Sequence, residues 1–389
     1  MFICTRRDLI RTVTAAGLIS GAPRLAFAAG PTDKRLVVVL LRGAMDGLAA
    51  VPPTGDPDLA AARPGLLTQN PLALNSTFGM HSALAKLHAR YRAGEVVVLH
   101  AAASPYRDRS HFDGQNVLET GATRPYGLPD GWLNRALLGL PDSLKARREA
   151  LAVALASSTP LVARGRAPVT SWSPSVLPGP EADLITRVQH LYDAQDPALA
   201  KALRAAASAN GMDAIAGGGP RAADLATLMT QAAKFLSAPD GPCAAVMDVG
   251  GWDTHANQPG VVQRNLAQLD RGLDALATGL GARWADTAVL VVTEFGRTVA
   301  ANGTGGTDHG TAGAAFLLGG AVRGGRVLAD WPGLKASALQ DGRDLRPTLE
   351  LDGVIKGVLA EHMGVPEAHL HRVVFPDLKT PVRTGLIRA

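Results

Sequence analysis

Residues 36–41 read Leu-Val-Val-Val-Leu-Leu, and residues 287–293 read Thr-Ala-Val-Leu-Val-Val-Thr. Both runs are apolar and rich in β-branched residues, and neither alternates between apolar and polar positions. Continuous apolar runs of this length are typical of strands that are covered on both faces of a parallel sheet. Four further runs share the pattern, at residues 96–100, 150–155, 244–247 and 314–318.

Segments with the apolar spacing of a helix separate these runs. Alternating strands and helices predict an α/β fold with a doubly wound, mostly parallel sheet flanked by helices. We expect a single domain over residues 29–389, with a helix-rich insertion at about residues 122–240 that contains the break Gly217-Gly-Gly-Pro220. The segments predicted as helices are Ser82–Arg92, Glu181–Tyr192, Ala222–Leu236, Val262–Leu280 and Thr348–His362.

The N-terminus has the pattern of an export signal. Arg6-Arg7 precedes a short apolar stretch at residues 12–19, and Ala26-Phe-Ala28 resembles a cleavage site. This pattern predicts a twin-arginine signal peptide over residues 1–28, recognition by the twin-arginine translocon and a periplasmic or secreted protein. The stretch is too short and too interrupted to span a membrane, so no stable span is expected after cleavage. The alternative is a cytoplasmic protein with a chance Arg-Arg pair.

Charge and cysteine content exclude two classes of protein. The formal net charge is +5, and residues 1–28 carry four arginines and one aspartate, so the mature chain has a net charge of +2. A charge this small does not indicate nucleic-acid binding. The mature chain retains one cysteine, Cys243, so it has no intramolecular disulfide. Cys243 lies in an apolar run, which favours a buried structural residue over a nucleophile.

Polar residues follow the predicted strands at the positions where ligands bind to a doubly wound sheet. Asp46 follows the first strand on a glycine-flanked turn, where it could hold a metal or cap a helix. Asp253 and His255 follow the run at residues 244–247 and offer an oxygen and a nitrogen donor to Zn²⁺ or a similar ion, or else form an ordinary hydrogen-bonded pair.

Two later segments carry the same residue types. Glu294 directly follows the run at residues 287–293, and Arg297 lies three positions later, so the two are either a metal ligand with an oxyanion clamp or a plain ion pair. Asp308-His309 lies in a glycine-rich loop before the last apolar run. Because such a loop is costly for stability, adjacent Asp and His in it indicate further metal ligands.

A hydroxyl group is available beside these carboxylates and imidazoles. Ser110 precedes a predicted helix and has arginines nearby, including Arg109, so it is either a nucleophile for an anionic ester or the N-cap of a capping box with Asp113. Together the strand ends predict a divalent metal centre with a positioned nucleophile. Mixed oxygen and nitrogen donors favour Zn²⁺ or Mn²⁺ and permit Ca²⁺. Of the other histidines, His81, His88 and His362 are interpreted as structural, and His100 as a neighbour of the metal ligands.

The chain carries five distinctive motifs, at residues 41–48, 104–113, 250–255, 294–297 and 308–310. Together they resemble the DUF1501 family of exported bacterial proteins, which is similar to the alkaline phosphatase and sulfatase superfamily. The resemblance implies that Asp46, Asp253, His255, Glu294, Asp308 and His309 are metal ligands, and that the nucleophile is Ser110 or the adjacent His111. No Cys-x-Pro-x-Arg sequence is present, which counts against a formylglycine-dependent sulfatase.

The function that these expectations support is a metal-dependent hydrolase or transferase of phosphate or sulfate esters. Arg297 and Arg109 would bind the non-bridging oxygens of a small or polymer-linked anionic ester, and the inserted segment would select the leaving group. The alternative from another class is an exported binding or assembly protein with a structural metal site. A third reading is a metal-free relic of the fold.

Overall fold

The main sheet is built from strands that are buried on both faces. The computed structural model describes residues 34–174, 182–201, 203–204 and 224–388. In the first strand, Val37, Val39 and Leu41 pack into one apolar cluster, and Leu36, Val38 and Leu40 pack into a second cluster on the opposite face. Because both faces are covered, the sequence of the strand shows no alternation.

Nine strands within the described residues form one mostly parallel sheet. They are β1 Arg35–Leu41, β4 Val96–Ala103, β5 Ala152–Leu155, β6 Val169–Trp172, β7 Ala244–Val249, β8 Thr287–Thr293, β9 Gly313–Leu318, β10 Arg326–Leu328 and β11 Leu349–Glu350. The order is β10-β4-β9-β8-β1-β7-β5-β6, with β11 also paired to β4. In this sheet β9 runs antiparallel to β4 and β8, and the remaining pairs are parallel. A separate small sheet pairs β2 Leu72–Ala73 with β3 Gly79–Met80.

Helices cover both faces of the main sheet. The helices Ala85–Arg92, Leu225–Ser237 and Gln258–Leu280 pack into the first cluster, and the helices Trp132–Leu138 and Leu351–Glu361 pack into the second. The predicted doubly wound, mostly parallel fold is therefore confirmed. The remaining described α-helices are Gly47–Ala50, Leu59–Ala62, His111–Thr120, Asp142–Lys145, Ala182–Gln195 and Glu367–His369. Shorter 3-10 or π turns are Ser82–Leu84, Leu161–Ala163, Gly281–Asp286, Ala336–Ala338 and Leu370–Val374.

The predicted elements agree with these bounds to within a few residues. All six apolar runs are strands of the main sheet, and each predicted helix overlaps a helix of the structure. The long helix begins at Gln258 instead of Val262, because Pro259 is well suited to the first turn of a helix. The short strands β6, β10 and β11 were not predicted, because they are only partly apolar.

Part of the predicted insertion belongs to the main sheet. Residues 152–155 and 169–172 form β5 and β6, which extend the sheet beyond β7. The Gly217-Gly-Gly-Pro220 break and the predicted signal peptide lie outside the described residues. Cys243 is buried, as expected, and its thiol donates to the Leu151 carbonyl at 3.2 Å. Among the described helices, none combines the length and apolar character needed to cross a bilayer.

Candidate metal centre at the carboxyl edge of the sheet

The carboxyl ends of four strands lie at one edge of the main sheet, together with the start of β9. Strands β1, β7 and β8 are parallel, and β4 has the same direction because β9 is antiparallel to both β4 and β8. The loops after β1, β4, β7 and β8 and the loop before β9 therefore meet at this edge. They carry all the predicted site residues: Asp46, Ser110, His111, Asp253, His255, Glu294, Arg297, Asp308 and His309.

Three histidines and one aspartate form the centre of this region, and we call them the His-Asp cluster: His111, Asp253, His255 and His309. His309 Nε2 lies 3.0 Å from His111 Nε2 and 3.1 Å from His255 Nε2. Asp253 Oδ1 lies 2.9 Å from His255 Nε2, 3.2 Å from His309 Nε2 and 3.4 Å from His111 Nε2. The ligand atoms of His111, Asp253 and His309 all lie within 4.8 Å of one another.

The outer ring nitrogen of each histidine is held by an oxygen acceptor. His111 Nδ1–H donates to Glu294 Oε1 at 2.8 Å, and His255 Nδ1–H donates to Asp308 Oδ1 at 3.1 Å. His309 Nδ1–H donates to the backbone carbonyl of Arg109 at 2.9 Å. Because a carboxylate or carbonyl oxygen only accepts, each Nδ1 carries the proton, and in the neutral rings each Nε2 has a lone pair.

The inward side of the cluster fits a divalent cation. The Nε2 lone pairs of His111 and His309 and the carboxylate oxygen of Asp253 face one another, and His255 Nε2 adjoins Asp253 and His309. Such an arrangement is unfavourable without a cation or a proton among these atoms. Two ligand atoms of a tetrahedral Zn²⁺ site lie roughly 3.3 Å apart, because Zn–N distances are about 2.0–2.1 Å. The separations given above run from 2.9 to 3.4 Å. Histidines that bind metals also commonly donate the other N–H to a carboxylate or a carbonyl.

The surrounding groups keep Asp253 of the cluster and the neighbouring Glu294 ionised. Burial opposes ionisation of Asp253, but the Arg297 guanidinium and the neighbouring imidazoles lower its pKa to about 2. Glu294 is buried too, and hydrogen bonds from His111 and Gln115 overcome that burial and lower its pKa. The bond to Glu294 raises the pKa of His111, whereas burial lowers the pKa of His309. Of these two imidazoles, His309 is therefore the one held more firmly in the neutral form.

Glu294 and Asp308, both predicted as metal ligands, lie behind the histidines. Glu294 is 1% exposed, and it accepts hydrogen bonds from the Gly43 N–H at 2.8 Å, from His111 and from Gln115 at 3.1 Å through Oε1. Asp308 Oδ1 accepts from His255 and from Asn302 Nδ2 at 3.2 Å. Both carboxylates thus orient imidazoles.

The Arg297 guanidinium forms its hydrogen bonds with other residues of the protein. Its side chain is 0% exposed, and its Nη1 donates to Asp253 Oδ1 at 2.6 Å. Its Nε donates to Thr307 Oγ1 at 3.1 Å, and its Nη2 donates to the Thr307 carbonyl. The predicted role as an oxyanion clamp does not match this arrangement, because the guanidinium holds Asp253 and the loop before β9 instead.

Asp46 lies outside the group whose ligand atoms converge. Its carboxylate is 1% exposed, forms an ion pair with the buried Arg63, and accepts from Gln258 Nε2 at 2.5 Å. It also caps the helix Gly47–Ala50 by accepting from the Ala49 N–H at 3.1 Å. The capping alternative for Asp46 is therefore realised, and the role predicted for it as a ligand has no support in this geometry.

The turn after β1 approaches the aspartate of the cluster through its backbone. Gly43 has a φ of +113°, and a Cβ atom at this position would lie 2.5 Å from the backbone nitrogen of Asp253. A side chain would therefore separate the two loops, which explains why glycine stands here. The Gly43 N–H also donates to Glu294, the carboxylate that accepts from His111. The turn therefore contacts both Asp253 and the residue that orients His111.

Ser110 adjoins the cluster at the start of a helix. It occupies the N-cap position of the helix His111–Thr120 with an extended backbone, yet its hydroxyl makes no capping bond. Its N–H donates to the hydroxyl of Tyr106 at 3.1 Å. The capping-box alternative is therefore not formed. Arg109, predicted as a second anion ligand, instead has its guanidinium on Asp344 and Asp341.

Sequence reasoning missed one residue of the site, Gln258. Gln258 is buried, donates to Asp46, and accepts from Thr254 Oγ1 at 2.9 Å and from Thr307 Oγ1 at 2.6 Å. It links the Asp46–Arg63 pair to the loop that Arg297 holds. A polar residue at the start of an otherwise amphipathic helix, just after Asp253 and His255, is the only signal that marks it. His111 was predicted as a catalytic residue, and the structure places it among the cation-facing groups.

Comparisons with known proteins give low similarity to several solved structures and no match to a curated protein. One solved structure is Ps i-CgsB in complex with k-i-k-neocarrahexaose, with 11% identity and a TM-score of 0.42, covering 86% of this chain and 72% of that chain. Another is the C-terminal periplasmic domain of EcEptC from Escherichia coli in complex with Zn, with 8% identity and a TM-score of 0.37, covering 74% and 72%. A third is alkaline phosphatase from the Antarctic bacterium TAB5, with 13% identity and a TM-score of 0.36, covering 74% and 92%.

One family model matches most of the chain. It is described as a protein of unknown function, DUF1501, and it matches residues 99–351. The matched region contains all four members of the His-Asp cluster. The match confirms the membership that the sequence motifs predicted, and the chain belongs to the DUF1501 family.

Proposed function

We propose that this protein is an exported, metal-dependent hydrolase or transferase of phosphate or sulfate esters, with the His-Asp cluster as its metal centre. One observation carries the proposal. Three imidazoles have their protons fixed on Nδ1 by Glu294, Asp308 and the Arg109 carbonyl, and their Nε2 atoms converge with Asp253 Oδ1 at 2.9–3.4 Å. This is the donor set and the supporting hydrogen-bond pattern of a Zn²⁺-type site.

The roles of the residues follow from their contacts. Asp253 and His309 would hold the cation together with His111, whose ligand atom lies within 4.8 Å of both, or with the adjacent His255. Arg297 keeps the Asp253 oxygen turned toward the imidazoles. Glu294 and Asp308 fix the orientation of two of the rings. A divalent ion at this position would polarise an ester and favour ionisation of an attacking hydroxyl or water.

The centre is accessible to a substrate. The side chains of the cluster are between 21% and 45% exposed. Ser110 precedes His111 directly and its hydroxyl is not used as a helix cap, which supports it as the nucleophile. The ester class rests on the family resemblance described above, and export rests on the twin-arginine signal predicted at residues 1–28.

Metal analysis of the purified mature protein, combined with aryl phosphate and aryl sulfate assays, tests the proposal. We expect bound Zn²⁺ or Mn²⁺ and turnover of at least one ester class in the wild type. His309→Asn should abolish both, whereas Ser110→Ala should abolish turnover and retain the metal. His88→Asn is the matched control, because His88 is a helical histidine that contacts the Ala73 carbonyl and not the cluster. A wild type that binds no metal and hydrolyses neither ester would contradict the proposal.

One observation favours the non-enzymatic alternative. Arg297, which was expected to bind the anionic oxygens of a substrate, is fully buried and engaged by Asp253 and Thr307. An exported binding or assembly protein with a structural metal site would show bound metal, no turnover of either ester, and a lower melting temperature after metal removal. Turnover that depends on Ser110 would exclude this alternative.

A further inference from the structure

Arg109 has a backbone conformation that L-residues rarely adopt. Its φ is +64°, in the left-handed region, and it is not a glycine. A non-glycine residue is unfavourable in this region, so the surrounding contacts must hold it there. The residue lies in the loop between β4 and the helix His111–Thr120, two positions before His111.

The side chain of Arg109 supplies one of these contacts. Its Nε and Nη2 both lie 2.7 Å from Asp344 Oδ2, and the Asp344 side chain is 0% exposed. A second carboxylate, Asp341, lies at 3.3 Å and is 63% exposed. An ion pair on a fully buried carboxylate is screened much less than a surface pair, so Asp344 is the principal anchor.

The anchor and the cluster are connected by a short ladder. Arg297 pairs with His309 and the adjacent Thr298 pairs with Asp344, both as antiparallel bridges. Asp344 is thus fixed to the same segment, Arg297–Thr298, that pairs with His309. The Arg109 side chain binds one part of this ladder while its carbonyl oxygen accepts from His309 Nδ1 at 2.9 Å.

From this geometry we infer that Arg109 is a positioning residue, which clips the loop after β4 to the ladder and thereby sets the distance between His111 and His309. We call two contacts of Arg109 the clip: its guanidinium binds Asp344, and its backbone carbonyl accepts from His309 Nδ1. His111 follows two residues later, and its Nε2 lies 3.0 Å from His309 Nε2. The inference rests on the proposed function only in assigning these two imidazoles to a metal.

Three variants separate the clip from general effects of charge. Asp344→Asn removes the anchoring charge, and Arg109→Gly removes the guanidinium while allowing the left-handed backbone without strain. Arg343→Ala is the matched control, since Arg343 is 43% exposed and reaches the other oxygen of Asp344 at 3.2 Å but has no contact with His309. If Asp344→Asn does not fold, Arg109→Gly carries the test alone.

Two measurements give the outcome. In Zn²⁺ competition titrations, Asp344→Asn and Arg109→Gly should raise the dissociation constant about tenfold to a hundredfold, the size typical for groups that orient a metal-binding histidine. Arg343→Ala should change it by no more than about twofold. In the metal-free protein, ¹⁵N NMR of the His309 ring should show a fixed Nδ1–H tautomer in wild type and in Arg343→Ala, and a mixture of tautomers in the two test variants.

The two proposals fail in different ways. Folded test variants that keep both the wild-type Zn²⁺ affinity and the wild-type His309 spectrum would overturn the clip and leave the metal centre intact. A wild type that does not bind Zn²⁺ would overturn the metal centre, and the metal-free NMR comparison would still decide whether Arg109 and Asp344 position His309.

Discussion

Two groups of histidines in this protein differ in their surroundings, one buried and the other partly exposed. His100 and His362 lie in the core, 0% and 2% exposed, and burial lowers the pKa of each to about 4. His111, His255 and His309 lie at the carboxyl edge of the sheet with side chains 21–44% exposed. Solvent and substrate can therefore reach the histidines at the sheet edge but not those in the core.

The hydrogen bonds of His100 show how a core histidine differs from those at the sheet edge. In every one of these histidines an oxygen acceptor takes one ring N–H. In His100, Nε2–H donates to the Val51 carbonyl at 2.9 Å and Nδ1 accepts from the Ala101 N–H at 2.8 Å, so both ring nitrogens are used. At the sheet edge the second nitrogens face one another and a carboxylate. Convergent lone pairs, and not the presence of histidine, mark the candidate site.

The largest expected effect separates the two groups by function and stability. His309→Ala should remove the metal and lower ester turnover by about a thousandfold, because loss of the ion removes about 4 kcal/mol of transition-state stabilisation. His362→Ala should retain metal and turnover but lower the free energy of unfolding by about 2–4 kcal/mol, since it leaves a cavity in the core. Metal content, turnover and urea unfolding of both variants measure this. Equal effects of both on metal content would remove the distinction.

A second variant tests whether Asp46 belongs with the core or with the metal. Asp46→Asn should leave the metal content unchanged and lower the free energy of unfolding by about 3 kcal/mol, because it leaves the buried Arg63 without its counter-charge. Metal analysis and urea unfolding give both quantities. Loss of metal without loss of stability would restore Asp46 as a ligand.

The core histidines should make stability depend on pH. Their folded pKa of about 4 lies below the value of about 6.5 expected in the unfolded chain, so the unfolded state takes up protons first as the pH falls. Their contribution to the free energy of unfolding is therefore complete above about pH 6.5 and is lost toward pH 4. Between pH 7 and pH 5 the free energy of unfolding should fall by about 2 kcal/mol per histidine. Urea unfolding of wild type and His362→Asn at both values checks this. The variant should lose about 2 kcal/mol less, and identical losses would contradict the assignment.

The smallest expected effects compare the two carboxylates that orient the edge histidines. Glu294 is buried, and Glu294→Gln should weaken Zn²⁺ binding about tenfold because it removes a charge from behind His111. The Asp308 side chain is 52% exposed, and Asp308→Asn should weaken binding by roughly threefold, since solvent screens its charge. Zn²⁺ competition titrations of both variants give the ratio. A larger effect at Asp308 would mean that this carboxylate contacts the ion directly.

Much of the fold could be predicted from the sequence because burial on both faces leaves a continuous apolar pattern. The same reasoning placed Asp253, His255 and His309 correctly at strand ends, since parallel strands end at one edge. It placed His309 there although β9 is antiparallel, because the loop that enters an antiparallel strand lies at that same edge.

The pairing of side chains could not be predicted in this way. Asp46 binds Arg63, which lies 17 residues further along the chain at the end of the short helix Leu59–Ala62. Glu294 binds His111 across 183 residues, and a sequence shows only that both are polar. Whether a carboxylate holds a cation, a guanidinium or an imidazole depends on distances between loops, which residue spacing does not contain.

The most direct test of the metal centre is a crystal structure of the mature protein grown with Zn²⁺, with anomalous diffraction data collected at the zinc edge. We expect an anomalous peak at about 2.0–2.2 Å from Asp253 Oδ1 and from the Nε2 atoms of His309 and His111 or His255. Anomalous density that lies elsewhere, or none in the His-Asp cluster at saturating Zn²⁺, would contradict the account.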